Sequence, residues 1–179
     1  MKTLTLLRHA KSAWDDPVER DFDRPLNGKG RRAAARMGRW MKDEGLAFDA
    51  VIASPALRVR QTIEGIEDGF GQPLKASFDS RIYMASAVTL LDIVHGIDDV
   101  CERLLMIGHN PGMEDLVLLL VPETPGGPRS EVEMKYPTAA IAELNFDGAR
   151  WADLDERTAS LARFTRPRDL DPALGPDGA

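Results

Sequence analysis

The sequence predicts an α/β fold, a three-layer αβα sandwich whose central sheet is largely parallel with one antiparallel edge. Two observations predict it. Apolar runs of strand length recur at residues 3–7, 49–53 and 103–108, and the segments between them carry apolar residues at helical spacing. Strands alternating with helices bury a parallel sheet under helices on both faces.

Thr3-Leu4-Thr5-Leu6-Leu7 is the first strand, and residues 15–26, polar with two prolines, form a loop. Asn27 is a helix N-cap, followed by Ala33, Met37, Trp40 and Met41 on one helical face, with Gly45 where that helix ends. Asp49-Ala50-Val51-Ile52-Ala53 is the second strand. Ser54-Pro55 breaks it and opens a helix with Val59, Ile63, Ile66 and Phe70 on its apolar face. A third helix spans residues 86–97, the third strand residues 103–108, and a compact apolar helix Gly112 to Val121. After the turn-rich PETPGGP segment, Ala139 to Phe146 and Ala149 to Leu154 read as a closing hairpin around Asp147-Gly148. Residues 1–165 are expected to form a single domain. Proline, aspartate and glycine dominate residues 166–179, which predicts a frayed, disordered tail.

Composition narrows the function. A net charge of -6 argues against a general nucleic-acid binder, yet leaves room for a small positive pocket. Cys101 is the single cysteine, so internal disulfides and zinc sites built on several cysteines are excluded. No secretory pattern opens the chain and no apolar stretch approaches the ~20 residues of a membrane span, so a cytoplasmic protein with no membrane partner is expected.

Chemistry concentrates where the strands stop. The first runs into Arg8-His9 within "LLRHAKSAW", the second into "SPALRVRQT" with Arg58, and the third into "IGHNPG" with His109 and Asn110. In an open α/β sheet such strand ends line one crevice, so Arg8, His9, Arg58 and His109 can converge. Two guanidiniums match phosphate oxygens with fork-shaped donors. A neutral imidazole can attack phosphorus, and a second, protonated one can stabilise the transition state. With enough fixed cations around the phosphate, no metal and no cofactor are needed. Asp21-Phe22-Asp23 imitates an aspartate-nucleophile motif, but a polar segment precedes it instead of a strand. His95 reads as structural, Trp14 as packing near enough to wall a pocket, and Lys29, Arg31, Arg32, Arg36 and Arg39 as a solvated helix face.

These segments together resemble the histidine phosphatase superfamily. "LLRHAKSAW" matches its Arg-His-Gly/Ala hallmark, "SPALRVRQT" its Ser-Pro-x-x-Arg-x-x-Gln-Thr segment, "IGHNPG" its second histidine segment and "RPLNGKG" its Arg-Pro-Leu-x-x-x-Gly helix entry. Within that superfamily the short chain is most similar to SixA-like phosphohistidine phosphatases, over roughly residues 3–155. The resemblance implies a phosphoglycerate mutase-like fold, with His9 as nucleophile, Arg8 and Arg58 as phosphate clamps and His109 as stabiliser beside the phosphate-binding Asn110. Lys11, Ser12, Asp15 and Thr138 are further pocket candidates; Asp15 stands where larger relatives place a phosphate-binding asparagine. The glutamate acid of many relatives has no counterpart in residues 79–102, so a general acid is unassigned, with Asp15 and Asp79 among the candidates. A missing acid suits phosphohistidine, whose imidazole leaving group has a reference pKa near ~6.5, better than an alkyl ester. The expected partner is therefore a phosphohistidine-bearing signalling or phosphotransfer protein. The alternatives are a broad small-molecule phosphomonoesterase and a non-catalytic phosphate-binding protein.

Overall fold

The structure, a computed structural model, describes residues 1–15, 17–18 and 20–176. Its strands are β1 Lys2–Arg8, β2 Ala50–Ala53, β3 Ser77–Phe78, β4 Arg103–Gly108, β5 Ile141–Phe146 and β6 Ala159–Thr165. Its helices are α1 Gly28–Asp43, α2 Leu57–Phe70, α3 Ala87–His95, α4 Gly112–Leu120, α5 Arg129–Met134 and α6 Pro167–Leu170. The strands form one sheet in the order β3-β2-β4-β1-β5-β6. β1, β2, β3 and β4 are parallel, β5 runs antiparallel to β1, and β6 antiparallel to β5. The expected sandwich, with its antiparallel edge, is therefore present.

Side-chain alternation divides the core. Leu7, Val51, Ala53, Leu105, Ile107 and Ile141 face α1 and α2, while Leu4, Leu6, Leu104, Met106, Ala142 and Leu144 face α3 and α4. Asn27 caps α1 by accepting from the Gly30 N–H at 2.8 Å, as its side chain predicts. Ser86 does the same for α3 through the Thr89 N–H. No helix among the described residues is long and apolar enough to cross a membrane.

Two expectations are corrected. Residues 149–154 are not a strand. Asp147-Gly148 leads instead into a 3-10 turn at Trp151–Asp153, and β5 pairs with β6 further on. The tryptophan is the reason: Trp151 is fully buried, its indole N–H donating to the Cys101 carbonyl and its backbone N–H to the Asp99 carboxylate, each at 2.8 Å. Docking that ring beneath the sheet directs the chain away from a tight hairpin. Residues 166–176, expected to fray, fold back as α6 and a 3-10 turn at Pro172–Leu174. Leu170 and Leu174 pack on the core beside α1, and the Arg166 guanidinium pairs with Asp169 at 2.9 Å. Residues 177–179 of the expected tail lie outside the described residues. The short strand β3 and helix α5 carry too little periodicity to be foreseen.

Candidate active site

Strand pairing creates the site. Arg8 is in register with Gly108 across the parallel β1–β4 pair, so His9 and His109 leave neighbouring strands side by side. Their ring centroids are 5.3 Å apart, and both are nearly buried. The end of β1 is fixed by Ala139, which takes a positive φ of 61° and donates its N–H to the carbonyls of both Arg8 and His9. The α2 segment holds the same loop from the other side. Thr62 Oγ1 accepts from the Ala10 N–H at 2.9 Å, Gln61 accepts from the Leu26 N–H at 2.8 Å, and Arg58 faces the crevice. The RPLNGKG entry is equally constrained, because a Cβ on Gly30 would lie 2.1 Å from the Lys11 carbonyl oxygen.

The imidazoles are set up differently. His9 Nδ1 lies 2.7 Å from the Ala10 carbonyl. A carbonyl only accepts, so the proton resides on Nδ1 and the lone pair on Nε2. Burial pushes the His9 pKa down to about 3, opposed by that hydrogen bond and reinforced by the charges of His109, Arg58 and Arg8. His9 is thus a neutral base at ordinary pH. His109 is lowered to about 4 by burial, then by Arg58 and Arg8. Its Nε2 lies 2.8 Å from Ser54 Oγ, and its Nδ1 is buried with no partner among the described residues.

Around them lies a cavity of about 530 Å³. Arg8 donates to the Tyr136 carbonyl at 2.8 Å, and Asn110 donates to the same oxygen at 3.1 Å. Arg58, 3% exposed, donates to the Asp21 carbonyl and carboxylate at 2.9 and 3.0 Å. Three buried side-chain nitrogens have no hydrogen-bond partner among the described residues: Arg8 Nε, Arg24 Nη1 and His109 Nδ1. All three belong to residues lining this cavity. A buried polar nitrogen without a partner costs about 1–3 kcal/mol.

Arg8, His9, Arg58, His109, Asn110, Lys11, Ser12 and Thr138 all line the cavity. Asp15 does not; it is exposed and outside the lining. Asp79 also stands apart, paired with Arg81 at 2.6 Å. His95 is structural, its Nε2 2.7 Å from the Leu154 carbonyl. Trp14 lines the cavity, as its place near His9 suggests, but it is 80% exposed instead of packed, and Arg24 stacks on it at 3.5 Å. Lys29 lines the cavity instead of a solvated face.

Sequence reasoning missed Asp21 and Tyr83. Asp21 lines the cavity and accepts from Arg58, Arg24 and the Tyr83 hydroxyl, the last at 2.7 Å. Partial desolvation would raise its carboxyl, but the hydrogen bonds from Tyr83, Arg58 and Arg24 and the Arg58 charge outweigh it and hold the group at about 2. Tyr83 meets the His109 ring edge-on at 5.3 Å. The available signal was an acid three residues ahead of Arg24-Pro25-Leu26 in a loop that returns to the strand ends. Among the described residues no group of three or more His, Cys, Asp or Glu side chains comes together that could hold a metal ion.

The family model of the histidine phosphatase superfamily (branch 1) matches residues 4–81. An uncharacterized protein of Mycobacterium tuberculosis is 35% identical over 164 residues, covering 90% of this chain and all of the relative. The phosphohistidine phosphatase SixA of Escherichia coli is 28% identical over 144 residues, covering 79% of this chain and 84% of that protein. Among solved structures, a protein from Nakamurella multipartitia designated SixA superposes with a TM-score of 0.79 at 28% identity, covering 93% of this chain and 96% of its own.

Proposed function

Because this chain belongs to the histidine phosphatase superfamily and is a phosphatase of phosphoglycerate mutase-like fold, we propose that it hydrolyses phosphohistidine through a covalent phosphohistidine on His9. The observation that carries the reading is the neutral His9, its Nε2 left free by the Nδ1 contact with Ala10, in a cavity lined by Arg8, Arg58 and His109. In the first step His9 Nε2 forms a bond to phosphorus while the bond from phosphorus to the leaving nitrogen breaks, and the substrate ring, protonated on its other nitrogen, departs as neutral imidazole. Arg8, Arg58, Asn110 and His109 hold the equatorial oxygens. A phosphate dianion brings the opposite charge to His109, which raises its pKa toward the protonated, donating form. In the second step water attacks phosphorus, the Nε2–P bond breaks, and inorganic phosphate leaves.

The substrate class follows from the carboxylates. Among the described residues the only one lining the cavity is Asp21, and at about 2 its pKa makes it a poor proton donor. Imidazole departs without a strong acid, whereas an alkoxide does not. The SixA relative is named for the same substrate. The test is trapping of labelled phosphate from a phosphohistidine protein on the enzyme. Trapping and turnover are expected for the wild type and neither for His9→Ala; kcat/KM for phosphohistidine should exceed that for alkyl phosphates at least tenfold. Turnover surviving His9→Ala would overturn the mechanism, and equal rates on alkyl esters would favour a broad phosphomonoesterase.

A further inference from the structure

The cavity is larger than a phosphoryl group needs, at about 530 Å³ within the ~300–1,000 Å³ that small-molecule ligands fill. Its second wall is built by the α5–α6 region, brought together by the approach of Arg166 to Glu131 at 4.0 Å. That wall contributes Lys135, just past α5, with Arg166 and Arg168 from the start of α6, and apolar surface from Pro167 and Leu174. Arg166 is occupied by Asp169. Lys135 and Arg168 are different: both line the cavity, and neither side chain makes a hydrogen bond or ion pair with a described residue.

Both side chains are exposed, and among the described residues Asp21, already held by Arg58, is the only carboxylate lining the cavity. The phosphoryl group is already served by Arg8, Arg58, Asn110 and His109. Resting on the phosphatase reading, we propose that Lys135 and Arg168 form a second anion subsite. The substrate then carries a further acidic group, a carboxylate or phosphate, beside the phosphoryl group that is removed. Exposed charges attract an anion in a salt-dependent way, and a point charge and a guanidinium can share one anion. The apolar surface of Pro167 and Leu174 accommodates the linking atoms.

The experiment compares kcat/KM on matched pairs that differ only in the second acid. One pair is phenyl phosphate and 4-carboxyphenyl phosphate; the other is a phosphohistidine peptide with Glu or Gln beside the phosphohistidine. Wild type is expected to prefer the acidic member of a pair about tenfold. The double variant Lys135→Ala, Arg168→Ala should bring that ratio near one, leaving phenyl phosphate turnover within twofold and the preference of wild type falling at high salt. A preference confined to the small pair identifies a free metabolite-sized acid as the source, and one confined to the peptide pair an acidic neighbour on a protein. Turnover with no preference in either pair, or equal losses on both members in the double variant, overturns the subsite and leaves the phosphatase standing. No turnover of any of the four substrates overturns the phosphatase reading itself.

Discussion

Asp21 places one negative charge against the Arg58 guanidinium, which in the proposed mechanism also holds the phosphoryl group. Held at about 2, its carboxyl stays ionised at any pH at which the enzyme would be assayed. It acts in two opposed ways, aiming Arg58 and Tyr83 while repelling an incoming dianion. Asp21→Asn keeps the shape and removes the charge. Its KM is expected to fall while kcat drops roughly tenfold, about 1.4 kcal/mol, because a less fixed guanidinium stabilises the transition state less well. Steady-state kinetics check this, and an unchanged kcat would show that Asp21 positions nothing. Arg8, His9, Arg58 and His109 were legible in the sequence because each follows a recognisable buried strand, so topology alone brings them together. Asp21 and Tyr83 were not, because a loop with no periodicity carries no record of where it returns.

Helices α1 and α2 meet closely, and glycine makes that possible. A Cβ on Gly38 would sit 2.2 Å from the Ile66 carbonyl oxygen, and one on Gly69 2.1 Å from that of Ala35. Helix propensity alone would make Gly38→Ala stabilising by ~1 kcal/mol. The contact demands the reverse, because rigid backbone has to move, and a net loss of about 1–3 kcal/mol is expected. Urea unfolding decides the sign, and a variant as stable as wild type would mean that the two helices separate freely. The first four helices were readable from their apolar residues, and α1 also from its cap. The closing hairpin was misread because Asp147-Gly148 has turn chemistry whether or not a strand follows, and only the buried slot for Trp151 decides that. The α6 segment was misread because its proline, aspartate and arginine serve as cap and cavity wall, roles that composition does not distinguish from disorder.

Two neutral histidines buried at one end of the sheet also tie global stability to pH. Folded His9 and His109 titrate near 3 and 4, whereas the unfolded chain binds those protons near 6.5. Above 6.5 neither state is protonated, and stability is full. As pH falls below 6.5 the unfolded state binds protons that the folded state refuses, so stability declines until the folded values are reached. Between pH 6.5 and 5 each histidine is expected to cost about 2 kcal/mol. Chemical denaturation at pH 7, 6 and 5 measures the slope, and a His9→Gln, His109→Gln double variant should lose most of it; an equal slope in that variant would assign the effect elsewhere. The β1–β4 register has a wider consequence. The 5.3 Å between the two rings is close to the ~4.8 Å that separates any two neighbouring strands, so the reactive spacing is a main-chain dimension. Lengthening a loop remote from these strand ends leaves that dimension untouched while changing what reaches the pair. Chains of this build are therefore free to diverge in what reaches the two rings while keeping the distance between them.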